Sequence, residues 1–218
     1  MAIFDVSLTL RNGMLSFPGD PVFLIVPVFS RKDGDAFNLS LLSMTTHTGT
    51  HLDAPAHYLD GGETVDTVPL DVLIGTGIIL DMRGTKVISR QALQKSELTD
   101  EKRVFLKTDN SRKLRESRFR GDYAYITESG SELLIERGVK LVGIDYLSVD
   151  RHDDEHAPAH KLLLSTGALI VEGLDLLDAP VGPCRIYCLP LKILEGDGAP
   201  ARVFIETEIG PPERSTST

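Results

Sequence analysis

The sequence predicts a mixed α/β domain, and three observations support this. The composition is that of an ordinary globular protein, with 41% hydrophobic and 25% charged residues among 218, so a core can form without disulfides. The first third is rich in strand-forming residues separated by Pro-Gly-Asp and Lys-Asp-Gly turns. Farther along, short apolar strands alternate with helical segments, an order typical of crossover-connected strands. We expect a single domain over residues 1–210, followed by a tail, residues 211–218, whose composition predicts disorder.

The individual elements follow from local signals. Strands are predicted at residues 4–10, 22–28, 37–45, 77–81, 104–107, 141–145, 168–171, 185–193 and 202–206. A helix is predicted at 89–96 with a serine at its start, and another at 127–137 with Thr127 as N-cap and Gly138 just past its end. A third helix, at 158–166, has a proline in its first turn and Gly167 at its stop. The early sheet is therefore expected to be partly antiparallel and the later one to be built by crossovers.

Charge and cysteine content exclude some classes of protein. The formal net charge of −9 argues against nucleic acid as a partner, because phosphate binding needs a basic surface. The N-terminus lacks signal-peptide features and no run approaches 18 apolar residues, so we expect a cytoplasmic protein without a membrane partner. Cys184 and Cys188 would lie about 13 Å apart on one strand face, too far for a disulfide, so buried reduced thiols are expected.

One basic cluster interrupts the acidic chain. The structural interpretation of this cluster is a solvated surface. The functional interpretation is a basic patch that steers an anionic substrate toward a binding site. The cluster comprises Arg112, Lys113, Arg115, Arg118 and Arg120.

The stretch HTGTHLDAPAH at 47–57 carries the main functional signal. Three histidines and an aspartate occur within eleven positions, and the four potential ligands are His47, His51, Asp53 and His57. A helix would place them on one face in pairs four apart, and an extended chain would also place the odd positions on one face. Pro55 must bend the chain near its end. Either geometry brings the side chains together at a metal site, whereas a turn held by His and Thr hydrogen bonds is the structural alternative.

A second signal lies in DDEHAPAHKLLLSTGALIVEGL. His160 falls in the first turn of the third predicted helix, and Glu172 ends the strand that follows it. A charged residue closing an apolar strand is costly to bury unless it is paired or bound to metal, so His160 and Glu172 are candidate ligands. His152 and His156, in an acidic loop, are expected to be exposed.

The ligand types indicate which metal binds. Imidazole and carboxylate without thiolate favour Zn or Mn, with Fe or Co as further options, over a cysteine-rich structural zinc site. One ion could take all four groups of the first stretch. A bridging carboxylate such as Asp53 would instead hold two ions about 3.5–4 Å apart.

HTGTHLDAPAH resembles the signature of the metal-dependent cyclase/hydrolase family that includes bacterial kynurenine formamidases (arylformamidases). The similarity extends over FPGDP at 17–21, VGIDYLSVD at 142–150, AHKLLLSTGALIVEGL at 159–174 and PLKILEGDGAPAR at 190–202. The resemblance implies a compact β/β/α fold with mixed sheets, assembled into homodimers or higher homo-oligomers. By the same resemblance, His47, His51 and Asp53 match first-site ligands, Asp53 and Glu172 match bridging carboxylates, and His160 matches a second-site ligand.

Two further residues are assigned by this resemblance. His57 matches the histidine that acts as acid and base, and Phe17 stands where kynurenine formamidases place a tryptophan that stacks on the substrate. The implied activity is hydrolysis of an amide-type C–N bond in a small molecule, foremost an aryl formamide such as N-formylkynurenine, giving kynurenine and formate. Water activated by the metal would attack the carbonyl, and His57 would pass a proton to the departing nitrogen.

Other functions stay open at this point. Isatin hydrolases and other cyclic amide or ester hydrolases belong to the same family. A metal-binding protein without catalysis is the alternative from another class, and His57 separates the two, since binding alone needs no proton-transfer residue. No G-x-S-x-G elbow appears, so acyl-enzyme chemistry is disfavoured.

Overall fold

The structure, a computed structural model, describes residues 1–116 and 118–208. Its strands are β1 Ala2–Asp5, β2 Leu24–Phe29, β3 Leu39–Ser43, β4 His51–Asp53, β5 Ile74–Asp81, β6 Val87–Ile88, β7 Arg103–Lys107, β8 Tyr125–Ile126, β9 Leu141–Ile144, β10 Leu169–Glu172, β11 Gly182–Pro190 and β12 Gly198–Thr207. Its helices are α1 Leu70–Leu73, α2 Arg90–Gln94, α3 Asn110–Leu114, α4 Glu128–Glu136 and α5 Pro158–Ser165. Short 3₁₀ turns cover Arg31–Asp33, Pro55–His57 and Val65–Thr67.

The main sheet closes on itself like a barrel. Its strand order is β1-β12-β11-β5-β7-β9-β10-β4, and β4 also pairs with the first residues of β12, which joins the two ends. The strands β5, β7, β9 and β10 are parallel to one another, whereas β4 runs antiparallel to both of its neighbours. The predicted mixed α/β fold, with an antiparallel part and a crossover part, is confirmed.

Two apolar layers lie on opposite faces of this sheet. Along β5, Ile79 packs inside the barrel with Phe105 and Ile186. Its neighbours Ile78 and Leu80 point outward and pack against helical residues of α2, α4 and α5. The alternation follows from the two-residue period of a strand. On β4, Leu52 belongs to the inner layer, so His51 and Asp53 lie on the outer face.

The helix signals of the sequence are confirmed in detail. The Ser89 hydroxyl accepts from Ala92 N, and the Thr127 hydroxyl accepts from Gly130 N at 3.2 Å. Gly138 and Gly167 follow their helices with φ of 68° and 72°, the left-handed conformation that ends a helix at low cost for glycine.

One predicted strand is wrong over most of its length. Residues 4–10 were expected to be extended, but the strand ends at Asp5. Beyond Asp5, the backbone N–H of Leu8 donates to the Thr50 side chain at 2.8 Å and not to the backbone of a neighbouring strand. This hydrogen bond joins the N-terminal segment to the turn that leads into β4. The elements α1, α3, β6 and β8 were not predicted from the sequence. The predicted disordered tail, residues 211–218, lies outside the described residues.

Cys184 and Cys188 are free and buried, as expected. Burial raises the pKa of both thiols to about 12. Among the helices of residues 1–116 and 118–208, none combines the length and apolar character that a bilayer crossing requires.

Candidate metal centre and active site

The histidine-rich stretch is neither a helix nor a continuous strand. Residues 47–50 form a turn, His51–Asp53 form β4, and Pro55–His57 form a 3₁₀ turn. Gly49 has φ of 71°, a conformation that glycine adopts without strain. Only His51 and Asp53 share a strand face, so His47 reaches the site from the turn before β4 and His57 from the turn after it. The prediction that residues 47–57 form either a helix or a continuous extended chain is therefore wrong. The predicted convergence of the four side chains His47, His51, Asp53 and His57 is nevertheless seen in the structure.

Asp53 lies at the centre of the cluster and is fully buried. Its Oδ1 lies 2.8 Å from His47 Nδ1 and 3.3 Å from His51 Nε2, and its Oδ2 lies 3.6 Å from His160 Nε2. Burial alone would raise the pKa of Asp53, but the imidazoles of His51, His160 and His47 hold it well below its usual range.

Two of the histidines have fixed orientations. His51 Nδ1 lies 3.0 Å from Gly49 O, and a carbonyl can only accept, so Nδ1 carries the proton and Nε2 is left with a lone pair. His160 Nδ1 lies 2.7 Å from Asp150 Oδ2, and the same carboxylate accepts from the backbone of Ala159 and His160 at the start of α5. Such carboxylate–histidine pairs orient imidazoles toward a metal.

Glu172 completes the floor of the site. It ends β10, where it pairs in register with His51 of β4. Its Oε1 accepts from Val149 N at 2.7 Å and lies 3.1 Å from His160 Nε2. Burial, followed by the negative charge of Asp53, raises the pKa of Glu172. The expectation that a helix start and a following strand end would place His160 beside Glu172 is confirmed.

The donor set fits a divalent cation. Asp53 Oδ2 is buried without a hydrogen-bond partner, although such atoms are ordinarily paired. Nitrogen and oxygen donors lie within 4.8 Å of one another in two groups, His47–Asp53–His57 and His51–Asp53–Glu172. Two buried carboxylates facing one another are costly without positive charge between them, and a cation would supply it. The sharing of Asp53 by both groups is what a bridging carboxylate requires.

His57 lies at the edge of this cluster. Its ring stacks on His47 with centroids 3.9 Å apart, and its Nδ1 lies 3.6 Å from Asp197. Burial, reinforced by the positive charges of His47 and His160, lowers the pKa of His57 to about 4. With its pKa at about 4, the His57 ring is an unprotonated base at pH 7. It belongs to one of the two donor groups, and its position is therefore compatible with ligation as well as with proton transfer.

Sequence reasoning missed three residues of the site. Asp197 Oδ2 lies 2.9 Å from His47 Nε2, Asp150 orients His160, and the Tyr58 ring stacks on His160 at 4.6 Å. Asp197 is 150 positions from His47 in the chain, so no spacing could reveal it. Tyr58 directly follows His57, and its aromatic type was the available signal.

A cavity of about 370 Å³ opens onto the cluster. Phe17 lies on its wall, together with Phe23, Leu147 and the aliphatic part of Met14, while His51, His57, His160 and Glu172 form the polar side. Phe17 is held edge-on by Phe119, with ring centroids 5.5 Å apart.

The basic cluster contributes nothing to this wall. None of its five residues lines the cavity, and Lys113, Arg115 and Arg120 pair with the acids Asp122 and Asp175. The steering hypothesis therefore lacks support among the residues described, and the solvated surface is favoured. His152 and His156 are exposed, as expected.

The chain is similar to known proteins over most of its length. Residues 4–151 match the family described as "Putative cyclase". A kynurenine formamidase from Erythrobacter litoralis (strain HTCC2594) is 36% identical over 204 residues, which cover 93% of either chain. A solved structure described as a potential metal-dependent hydrolase with cyclase activity is 31% identical, with a TM-score of 0.82 and coverage of 95% of this chain and 99% of the other. Isatin hydrolase A from Ralstonia solanacearum is 25% identical, with a TM-score of 0.80 over 95% and 92% of the two chains.

The chain belongs to this cyclase family of metal-dependent hydrolases. It is an amide hydrolase, and the centre built on Asp53 is its candidate site for a divalent metal.

The carboxylates of this centre give a test of metal binding. Asp53→Asn and Glu172→Gln each remove one negative charge at nearly constant volume, so both variants should lose metal relative to wild type when elemental analysis follows identical loading. Asp122→Asn, an exposed acid outside the centre, is the matched control and should keep the wild-type metal content. Full occupancy in Glu172→Gln would show that Glu172 is structural and that a single ion suffices.

Proposed function

We propose that the enzyme hydrolyses an aryl formamide, with N-formylkynurenine as the substrate and kynurenine and formate as the products. The cavity supports this proposal, because Phe17 and the histidine–carboxylate centre line the same space of about 370 Å³, a volume that suits a small aromatic molecule. The likeness to a kynurenine formamidase over nearly the whole chain supports the same substrate.

The residues present suit the chemistry. A bound divalent ion lowers the pKa of a coordinated water toward neutrality and polarises a carbonyl oxygen. Zn or Mn, as one or two ions, fits the nitrogen and oxygen donors. As the family resemblance implies, His47 and His51 would hold one ion and His160 the other, and Asp53 and Glu172 would be shared between them. Asp150 keeps the Nε2 atom of His160 directed at the centre.

His57 is placed to move protons. At neutral pH its ring is unprotonated, so it accepts the proton released when water adds to the formyl carbon. The same imidazole then donates that proton to the departing aryl nitrogen. The His57 side chain is 28% exposed and can exchange protons with solvent in the cavity, whereas the side chains of His51 and His160, which also line the cavity, are almost fully buried.

Hydrolysis of a cyclic amide such as isatin is the second candidate. The similarity of this chain to isatin hydrolase A in fold and in sequence, at 25% identity, favours this candidate. Of the described residues that line the cavity, none is lysine or arginine, and isatin is a neutral molecule. Both substrates present an aromatic amide to the same polar side of the cavity.

Direct assay separates the two candidates. The metal-loaded enzyme should hydrolyse N-formylkynurenine with a kcat/KM at least about tenfold above that for isatin, and activity should fall with chelation and return with Zn or Mn. A kcat/KM in the opposite order would transfer the assignment to cyclic amides. Absence of hydrolysis of both, with metal bound, would overturn the proposal.

Phe17 tests the aromatic wall. Phe17→Ala should raise KM for N-formylkynurenine about tenfold, since an aromatic contact contributes on the order of 1 kcal/mol beyond its buried area, while kcat changes little. Phe17→Trp should keep or lower the wild-type KM because a larger ring retains the stacking surface. If Phe17→Ala instead lowers the melting temperature substantially without affecting KM, the ring serves packing only.

His57 tests the division between catalysis and binding. His57→Ala should keep metal content near wild type while kcat falls by about 10² to 10⁴, the usual loss for a positioned acid or base. His51→Ala should lose metal and activity together, since removing a ligand dismantles the site. Loss of metal from His57→Ala would make His57 a ligand, and retention of both metal and rate would remove its acid–base role.

The pH profile provides an independent check on His57. Because the pKa of His57 is lowered to about 4, the neutral base is present above that value and is lost as pH falls through it. The acid limb of kcat/KM should therefore lie below pH 6 in wild type and be absent in His57→Ala, with metal content measured at each pH. A wild-type limb at 6.5 would indicate an ordinary, unperturbed histidine.

A further inference from the structure

The segment FPGDP, residues 17–21, contains one charged residue, Asp20, which has no part in the hydrolytic chemistry. Asp20 is exposed, and its backbone N–H donates to Phe17 O at 3.1 Å. Between these two residues, Gly19 has φ of 97° and follows Pro18, which is the residue pattern of a type II turn. The turn keeps the Cα atoms of Phe17 and Asp20 within about 7 Å of each other.

Two prolines restrict the backbone on either side of this turn. The ring of Pro18 fixes its own φ, and Pro21 disfavours helical backbone angles at the residue before it, which is Asp20. The local sequence therefore limits where the backbone of Asp20 can lie relative to Phe17. A carboxylate is held beside the aromatic ring, although the carboxylate itself is exposed.

Asp20 lines the cavity above the metal centre, as Phe17 does. Apart from the histidines and Glu172 of the centre, it is the one charged residue on the described wall, which includes no lysine or arginine. Its carboxylate has no hydrogen-bond or ion-pair partner among residues 1–116 and 118–208. A substrate carboxylate thus meets no cationic lysine or arginine side chain on this wall, whereas a substrate ammonium group meets an unpaired carboxylate.

We propose that Asp20 binds an ammonium group on the substrate's side chain and so selects aryl formamides that carry one. This inference rests on the proposed function, because it takes the substrate's ring to stack on Phe17. In N-formylkynurenine three carbon atoms separate the ring from the ammonium nitrogen, so a ring on Phe17 leaves that nitrogen within reach of the same turn. The formamide and the ammonium belong to different ring substituents, and the ammonium therefore need not approach the cations of the centre.

The surroundings of Asp20 favour such an ion pair. The apolar side chains of Phe17, Phe23 and Leu147 line the same cavity, and a charge inside a cleft with apolar walls acts more strongly on a ligand than a charge on an open surface. Asp20 attracts a cationic group there and repels an anionic one. Because its side chain is exposed, the attraction should weaken as the salt concentration rises.

Three related substrates test the selection on the full-length, metal-loaded enzyme at pH 7. They are N-formylkynurenine, its analogue without the carboxylate and its analogue without the ammonium group. Asp20→Asn removes one charge at nearly constant volume and should raise KM for the two ammonium substrates about fivefold, the upper range for an exposed ion pair, with kcat unchanged. KM for the analogue without the ammonium group should not rise. Asp60→Asn, an exposed acid that does not line the cavity, is the matched control and should keep the wild-type KM values.

Charge reversal provides a stronger test of the same contact. Asp20→Lys should lower KM for the analogue that carries only a carboxylate and raise KM for the analogue that carries only an ammonium group. The preference between these two substrates therefore inverts, an outcome that a loss of stability does not produce. In wild type, raising the salt concentration should reduce the preference for the ammonium substrate, and in Asp20→Asn the preference should not depend on salt.

Calorimetric titration with the deformylated product of the ammonium-only analogue measures the contact without hydrolysis. Its Kd should be about fivefold higher for Asp20→Asn than for wild type. Equal Kd values, binding too weak to measure, or KM values that Asp20→Asn leaves unchanged would overturn the role of Asp20. If no formamide is hydrolysed but the product Kd still shifts, the proposed function fails and the ammonium site stands, so the two hypotheses fail separately.

Discussion

The burial of Asp53 is the constraint on which the rest of the site depends. A carboxylate removed from water is costly unless positive charge or hydrogen bonds surround it, and here three imidazoles approach its two oxygens while Oδ2 still lacks a hydrogen-bond partner. The arrangement is stable only if the surrounding chain is fixed in place. It leaves one buried oxygen available for a cation, which is the property that a metal centre needs.

The closed sheet provides that rigidity. The three-residue strand β4 would be too short to hold its place alone, but it pairs on one side with β10 and on the other with the start of β12. Leu52 is anchored in the barrel interior, so the strand cannot rotate without moving a buried leucine into contact with polar groups. The outward positions of His51 and Asp53 follow. Glu172 is delivered by β10 in the adjacent register, and α5 brings His160 across the same face.

The aromatic wall is built separately from the polar centre. Phe17 comes from the loop after β1 and packs on Phe119, whose own loop is held by Tyr146, because the Tyr146 hydroxyl both accepts from Arg120 N and donates to Arg120 O at 2.9 Å. None of these aromatic residues shares an element with Asp53 or Glu172. A change in the wall can therefore alter which aromatic amide fits without disturbing the groups that activate water, which is consistent with the presence of both a kynurenine formamidase and an isatin hydrolase among the similar proteins.

Local sequence was sufficient for those features that depend on neighbours in the chain. The caps at Ser89 and Thr127, the stops at Gly138 and Gly167, and the clustering of potential ligands between residues 47 and 57 are all short-range signals. The pairing of His160 with Glu172 was also predictable, because a short helix-to-strand connection limits where its two ends can lie. Asp197 and the low pKa of His57 were not predictable in this way. They arise where the closing of the sheet brings together residues distant in sequence, such as His47 and Asp197, and where several buried charges act on one ring. Asp150 lies only ten positions before His160, but the loop that joins them has no regular period from which their contact could be predicted. The same holds for the β2–β3 hairpin. Its strand-forming residues predicted both strands correctly but could not reveal that every residue of the two strands is exposed, since burial depends on which other elements reach it in the folded chain.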